Sequence, residues 1–461
     1  MLELTGLLAR VPDFREFMTL EELGASSRAL VAEFPGLARL ETVGASAEGR
    51  PIELLTIGDG AKPALLVGVP HPNEPIGTLT LEFLCRLLCE DGDLRARLDA
   101  TVYAIKVADP DGFVLNQGWF KGQFSPLRYA LDYYRPPHRE QVEWSFPVEY
   151  KTLRFATPSP ETAAVMRVME RVRPRFFYSL HNAGFCGVYF YVSHERPALF
   201  GALHRLVASQ GLPLHRGEPE VPYLRTLAPA VYALFGVDET YDYLARTLGE
   251  DPAPLIDAGT SSDDWLRRVS DAFSLVCELP YYTSPTLEDT RPAGLTRRAA
   301  VLAGVARAEA LHAECGRAFG ALAGRVPEHR LTRSVADYLK KTPKRLAAER
   351  THAAGPDHAR EATRAEALDA TTCRAFYHLL YLGEVYRLAE MVGDATLARD
   401  LRARLAEMAT EIERESALGV LPLRPLVAVQ AGAGLLALAE QGSPADHLRS
   451  PAAMRRASAW R

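Results

Sequence analysis

The stretch VPHPNEPIG (69–77) sets a histidine, an asparagine and a glutamate between prolines, directly after the apolar run PALLVG. His71 and Glu74 stand three residues apart on one tight loop, His181 closes the run RFFYSLH, and Glu278 lies near the end of AFSLVCEL. Two neutral imidazoles and a carboxylate suit Zn²⁺, which takes nitrogen and oxygen ligands at about 2.0–2.2 Å and keeps a fourth position for water in catalytic sites. Glu278 is then free to accept that water's proton. Residue types alone leave a second reading open, ordinary loop histidines, because the chain holds 12 histidines and the span from Glu74 to His181 is long.

These side chains need a scaffold that brings strand ends together. Up to about residue 290, short apolar runs (PALLVGV, TVYAIKV, RFFYSLH, GVYFYVS, AFSLVCELP) alternate with amphipathic stretches such as GTLTLEFLCRLLCE and the segment opened by Ser159 and Pro160. That alternation predicts an α/β sheet covered on both faces, and ligands of such sheets bind beyond the carboxyl ends of the strands. Residues 108–158 break the pattern, being rich in Tyr, Trp, Phe, Pro and Arg without a clear period. A loop of that length in a compact domain is usually functional. From residue 295 the sequence turns Ala-, Leu-, Arg- and Glu-rich at helical spacing. The expected organisation is a catalytic domain over 1–290, an α-helical domain over 291–442 and a loose basic tail over 443–461. PLVAVQAGAGLLALAEQG (425–442) is too short and interrupted to cross a bilayer and reads as a buried helix.

Composition narrows the function classes. A formal net charge of −5 over 461 residues offers no basic face to neutralise phosphates, so nucleic acid is not the expected partner. No stretch reaches about 18 uninterrupted apolar residues and no leader pattern opens the chain, so neither a membrane partner nor secretion is expected and a cytoplasmic location is. The six cysteines are scattered without a CxxC, which argues against a disulfide framework. No GxSxG elbow supports serine-hydrolase chemistry. Nothing in the sequence fixes an oligomeric state.

GASAEGRPIELLTIG (44–58), HPNEPIG (71–77), ADPDGF (108–113), SLHNAG (179–184) and GTSSDDW (259–265), followed by FSLVCEL (273–279), occur in that order. Together they resemble the zinc metallocarboxypeptidases of carboxypeptidase A type over about residues 20–285, most specifically in the spacing from Trp265 to Glu278. The resemblance implies a mixed, mostly parallel sheet flanked by helices (phosphorylase/hydrolase-like), one Zn²⁺ on His71, Glu74 and His181, Glu278 as general base, and a peptide or amide substrate cut at its C-terminal residue. The family's Asn-Arg clamp for the substrate carboxylate is missing, with Val142 and Glu143 in its place. Arg128, Arg135 and Arg139 sit in the same loop and could take over, and Arg135, flanked by tyrosines and prolines, is the favoured replacement, with Arg128 as a further substrate-binding candidate. Asn182 is expected to bind substrate or support a ligand. Asp263 falls where B-type enzymes carry an acid for a C-terminal Lys or Arg; alternatively, Ser262 or Asp263 caps the short helix that follows. The family's mobile tyrosine falls on Ile256, leaving Tyr241, Tyr243, Tyr281 and Tyr282 as substitutes or core residues. HPNEPIG also resembles the HGNE loop of aspartoacylase and succinylglutamate desuccinylase relatives, which keeps a zinc deacylase or amidase as the alternative. A non-catalytic binding protein is the third reading.

Overall fold

The structure, a computed structural model, describes residues 2–440; the expected tail over 443–461 lies outside them. Nine strands form one mixed sheet: β1 (Ala38–Ala45), β2 (Pro51–Ile57), β3 (Lys62–Gly68), β4 (Ala100–Ile105), β5 (Phe176–Asn182), β6 (Tyr189–Val192), β7 (Thr226–Ala228), β8 (Val231–Ala233) and β9 (Phe273–Leu279). Their spatial order is β1-β2-β4-β3-β5-β9-β6-β8-β7, and the central four, β4, β3, β5 and β9, run parallel. Four of the five apolar runs read from the sequence are these central strands, and GVYFYVS forms β6, antiparallel to β9. Leu65, Val67 and Phe177 pack into one core and Leu66, Tyr178 and Leu180 into another, so burial on both faces removes the alternation of a half-exposed strand.

Register does the positioning. In the β5–β9 pair His181 lies opposite Glu278, and in the β3–β5 pair the last residue of β3, Gly68, lies opposite Leu180. All three strands therefore end at one level. Side chains alternate across a strand, so His181 shares its face with Ser179 and Phe177.

Helix α1 (Ile76–Glu90) begins immediately after the His71–Glu74 loop. The stretch 108–158 is more ordered than its lack of period suggests. It folds into α2 (Pro110–Asn116), α3 (Pro126–Asp132) and a hairpin pairing Val148–Tyr150 with Leu153–Phe155. Both helices have Pro at their start and a capping side chain before it, Asp109 on the N–H of Gly112 and Ser125 on that of Arg128. Seven residues make too few turns to show an amphipathic period. Helices α4 (Pro160–Val172) and α5 (Pro197–Ser209) follow, α4 capped by Ser159 as expected.

Beyond the sheet come α6 (Arg297–Gly320), α7 (Arg330–Ala353), α8 (Arg374–Met391) and α9 (Ala395–Ser416), and then α10 (Leu423–Ala439). The last of these departs from the sequence expectation. It is buried from Leu426 to Leu438, as read, but packs on α1, α5, β5 and β9 and so completes the layer over the sheet. Gln430 marks the seam, donating from Nε2 to the carbonyls of His181 (3.0 Å) and Cys277 (3.3 Å) and accepting at Oε1 from Thr80 Oγ1 (2.8 Å). No helix among the described residues is long and apolar enough to cross a membrane.

Candidate active site

The chain leaves β3 through Val69, which has φ of 54°. A β-branched residue in the left-handed region is strained, and here the turn carries the chain from the strand end into Pro70 and His71. The Val69 carbonyl is held by the N–H of Asp109 at 3.2 Å.

Glu74 meets His181 across the strand ends. Its Oε2 lies 3.0 Å from Nδ1 of His181 and accepts the backbone N–H of Asn182 at 3.1 Å. The rings of His71 and His181 stand 5.0 Å apart, and one donor atom from each of His71, Glu74 and His181 falls within 4.8 Å of the others. Glu278 Oε1 is 3.8 Å from Nδ1 of His181. All four residues are buried.

The donor set fits a divalent cation. Nδ1 of His71 is buried without a hydrogen-bond partner, a costly condition for a polar atom unless something binds it. Burial, with Arg135, His181 and His138 nearby, pushes His71 well below the ordinary histidine range, which keeps the lone pair available. Around His181 burial is outweighed by Glu74, Glu278 and Glu143, which push it up to about 9. Glu278 lies well above the usual carboxylate range because it is buried, with Glu74 and Glu220 adding to the effect and His181 and Arg135 opposing it.

Behind His181 is a contact the sequence did not reveal. Ser179 Oγ lies 2.8 Å from Nε2 of His181, and Glu143 Oε2 lies 3.4 Å from that hydroxyl and 3.8 Å from the ring nitrogen. Glu143 is in turn fixed by the N–H (3.0 Å) and hydroxyl (2.8 and 2.9 Å) of Ser262. A partner on the far nitrogen sets a ligand's tautomer and orientation. Glu143 drew attention in the sequence only as an unexpected residue in the clamp position.

The remaining expected residues divide. Arg135 is brought in: its Nη1 donates to Glu74 Oε1 at 2.8 Å, and Glu74, Tyr133 and Tyr381 together outweigh burial to raise its pKa. Arg128 is not. It lies on the exposed side of α3, ion-paired with Asp132 and donating to the carbonyl of Gly118, and none of its bonds reaches the site; α3 turns it away, one turn before the segment that aims Arg135 inward. Arg139 pairs with Asp257 at 3.4 Å. The side chain of Asn182 is engaged within the fold rather than offered to a substrate, accepting from the N–H of Ile76 at 3.1 Å and donating to the carbonyl of Leu279 at 3.5 Å. Asp263 is buried and paired with Arg267 at 3.1 Å, its Oδ1 unpartnered. The cap of its helix, Ser262–Leu266, is Ser261, which accepts from Asp264, and neither Ser262 nor Asp263 fills that role. Tyr281 donates to the carbonyl of Asn73 at 2.8 Å, Tyr241 bonds Thr152 and Asp251, and Tyr243 and Tyr282 are buried.

Solved structures similar to this chain include carboxypeptidase A from Helicoverpa armigera, at 17% identity over 61% of this chain and 70% of that one, with a TM-score of 0.40. Metallo-carboxypeptidases from Burkholderia cenocepacia (18% identity, 57% and 60% covered, TM-score 0.32) and Pseudomonas aeruginosa (20%, 55% and 58%, TM-score 0.31) are also similar. The family model described as zinc carboxypeptidase matches residues 24–281, more than half of the chain. The site lies almost wholly inside that span, and the chain belongs to the zinc carboxypeptidase family as a zinc-dependent peptidase.

Proposed function

We propose that the chain removes a C-terminal residue from a peptide, holding one zinc ion through His71, Glu74 and His181 and using Glu278 as its general base. The observation that carries this reading is the convergence of three strand ends on one buried donor set, with an orphaned Nδ1 on His71 and a fourth carboxylate, Glu278, 3.8 Å from the His181 ring. Zinc in such a site activates a water and polarises the scissile carbonyl. Glu278, which burial pushes well above the usual carboxylate range, is suited to hold a proton at Oε1 and deliver it to the departing amine. Arg135, already within 2.8 Å of Glu74, offers its guanidinium to a substrate carboxylate or to the carbonyl oxygen as charge develops there. Six free cysteines, all buried, support a reducing compartment.

One observation favours the amidase alternative. Glu143 is a buried carboxylate where the family's clamp is expected, so one cation for a free C-terminus is missing. A matched pair of peptides, one with a free C-terminus and one amidated, separates the readings. Selective cleavage of the free form is expected for a carboxypeptidase. Equal rates overturn that assignment in favour of the amidase.

A further inference from the structure

The segment that delivers Arg135 is gripped from outside the sheet. Helix α8 lies close enough to α3 that a Cβ on Gly383 would fall 1.9 Å from the carbonyl oxygen of Ala130, so only glycine permits the approach. One turn further on, Arg387 Nη1 donates to the carbonyls of Asp132 (3.0 Å) and Tyr133 (2.9 Å). Glu384 Oε1 accepts the backbone N–H of Arg135 at 3.1 Å, and Ser334 Oγ, from α7, donates to the Arg135 carbonyl at 2.7 Å. Tyr129 stacks on Phe376 and Tyr133 meets Tyr381 edge-on. Both backbone polar groups of Arg135 are thus taken by the helical region, while its side chain points the other way, to Glu74.

Glu384 is fully buried. A carboxyl group there is expensive unless its bonds serve something, and its N–H partner belongs to Arg135, the one arginine among the described residues that bonds Glu74.

We propose that the helical region is part of the active-site scaffold, with Glu384 as the positioning residue that, together with Ser334 and Arg387, fixes the Arg135 backbone and thereby aims its guanidinium. The inference rests on the reading of Arg135 as a substrate-contacting group. It gives α7 and α8 a role in turnover without any contact between them and the substrate.

The test uses the full-length, zinc-loaded protein carrying Glu384→Ala, Glu384→Gln or Ser334→Ala, followed by amide hydrogen exchange and by kcat and KM on a peptide with a free C-terminus. In Glu384→Ala the Arg135 amide is expected to exchange about tenfold faster or more, while β5, β9 and the zinc content stay unchanged. kcat/KM falls about 10- to 100-fold, the scale of a displaced catalytic contact. Glu384→Gln keeps a carbonyl oxygen for the Arg135 N–H and is expected to recover both properties. Unchanged exchange at Arg135 overturns the proposal, as does faster exchange with kcat/KM intact. Should Glu384→Ala not fold, Ser334→Ala is judged by the same two measurements. Failure of the underlying reading looks different: Arg135→Ala then leaves kcat/KM at the parent value, and any change in exchange reports a brace without catalytic purpose, which also overturns the proposal.

Discussion

The carboxylate of Glu74 is shared between two partners, with Nη1 of Arg135 2.8 Å from Oε1 and Nδ1 of His181 3.0 Å from Oε2. A side chain expected to bind metal is thereby tied to the only guanidinium that bonds to a site residue among those described. Arg135→Lys keeps the charge but loses the planar fork. Losing a charge-assisted bond of roughly 1.5–3 kcal/mol is expected to lower kcat/KM on a free C-terminal peptide by about 10- to 100-fold, with a smaller loss on the amidated peptide. Steady-state kinetics on the matched pair measures both.

Glu278→Gln preserves shape and removes the proton acceptor. Zinc content is expected to match the parent, while turnover drops about 10²- to 10⁴-fold. Metal analysis beside kinetics checks this, and loss of metal would reassign Glu278 as a ligand.

Ser179→Ala removes the hydroxyl 2.8 Å from Nε2 of His181, and Glu143→Gln weakens the acid behind it. Each is expected to reduce zinc affinity about 10- to 100-fold, the usual effect of losing a group that orients a ligand. Competition with a chelator of known affinity gives the value. A result within twofold of the parent would mean that His181 is held by the strand alone.

Asp263 is already paired with Arg267 at 3.1 Å in a buried setting. Asp263→Ala is therefore expected to lower thermal stability by about 0.5–1.5 kcal/mol, the usual worth of a lost hydrogen bond, because Arg267 is part-exposed and keeps Asp264 at 3.5 Å, with the ranking of C-terminal side chains unchanged. Thermal melts and a peptide panel decide it. A selective loss for Lys and Arg would restore Asp263 as a specificity residue.

Burial pushes Glu384 from the ordinary 4.5 up to about 8, against Ser334, the Arg135 N–H and Arg387; Tyr133, Tyr134, Tyr381 and Cys315 also face it. The unfolded chain releases this proton near 4.5 and the folded chain holds it to about 8, so between those values the folded state binds more protons. The contribution of this group makes stability fall as pH rises from about 4.5 to about 8, and it is constant above that. Glu384→Gln is expected to remove that slope, gaining on the parent by an amount that grows with pH. Denaturant melts at about pH 5, 7 and 9 measure it.

What the sequence revealed follows its own physical logic. The central strands were legible because strands buried on both faces are continuously apolar, and the ligand candidates because they sit where those runs stop. The helices within 108–158 escaped because their signals are single caps and prolines rather than a period. Glu143 and Glu384 escaped for another reason: each acts through a contact with a distant segment, Glu143 with Ser262 119 positions away and Glu384 with Arg135 249 positions away, and nothing local announces such a pair. α10 was read correctly as buried, yet a helix apolar around nearly its whole circumference says only that it is covered and not by what.

The bond between Thr80 and Gln430 joins residues 350 positions apart. Gln430 is also what ties α10 to the carbonyl of His181. At about 5–20 residues per second of synthesis, Gln430 follows Thr80 from the ribosome by about 20–70 s. Over the last part of that interval, between Glu278 and Gln430 and about 8–30 s long at the same rate, every expected catalytic side chain is already made while the helix that covers the back of His181 is not. In the order of synthesis, the helix that ties down the carbonyl of His181 therefore comes after all of the expected catalytic side chains, and this bond is among the last the site can gain.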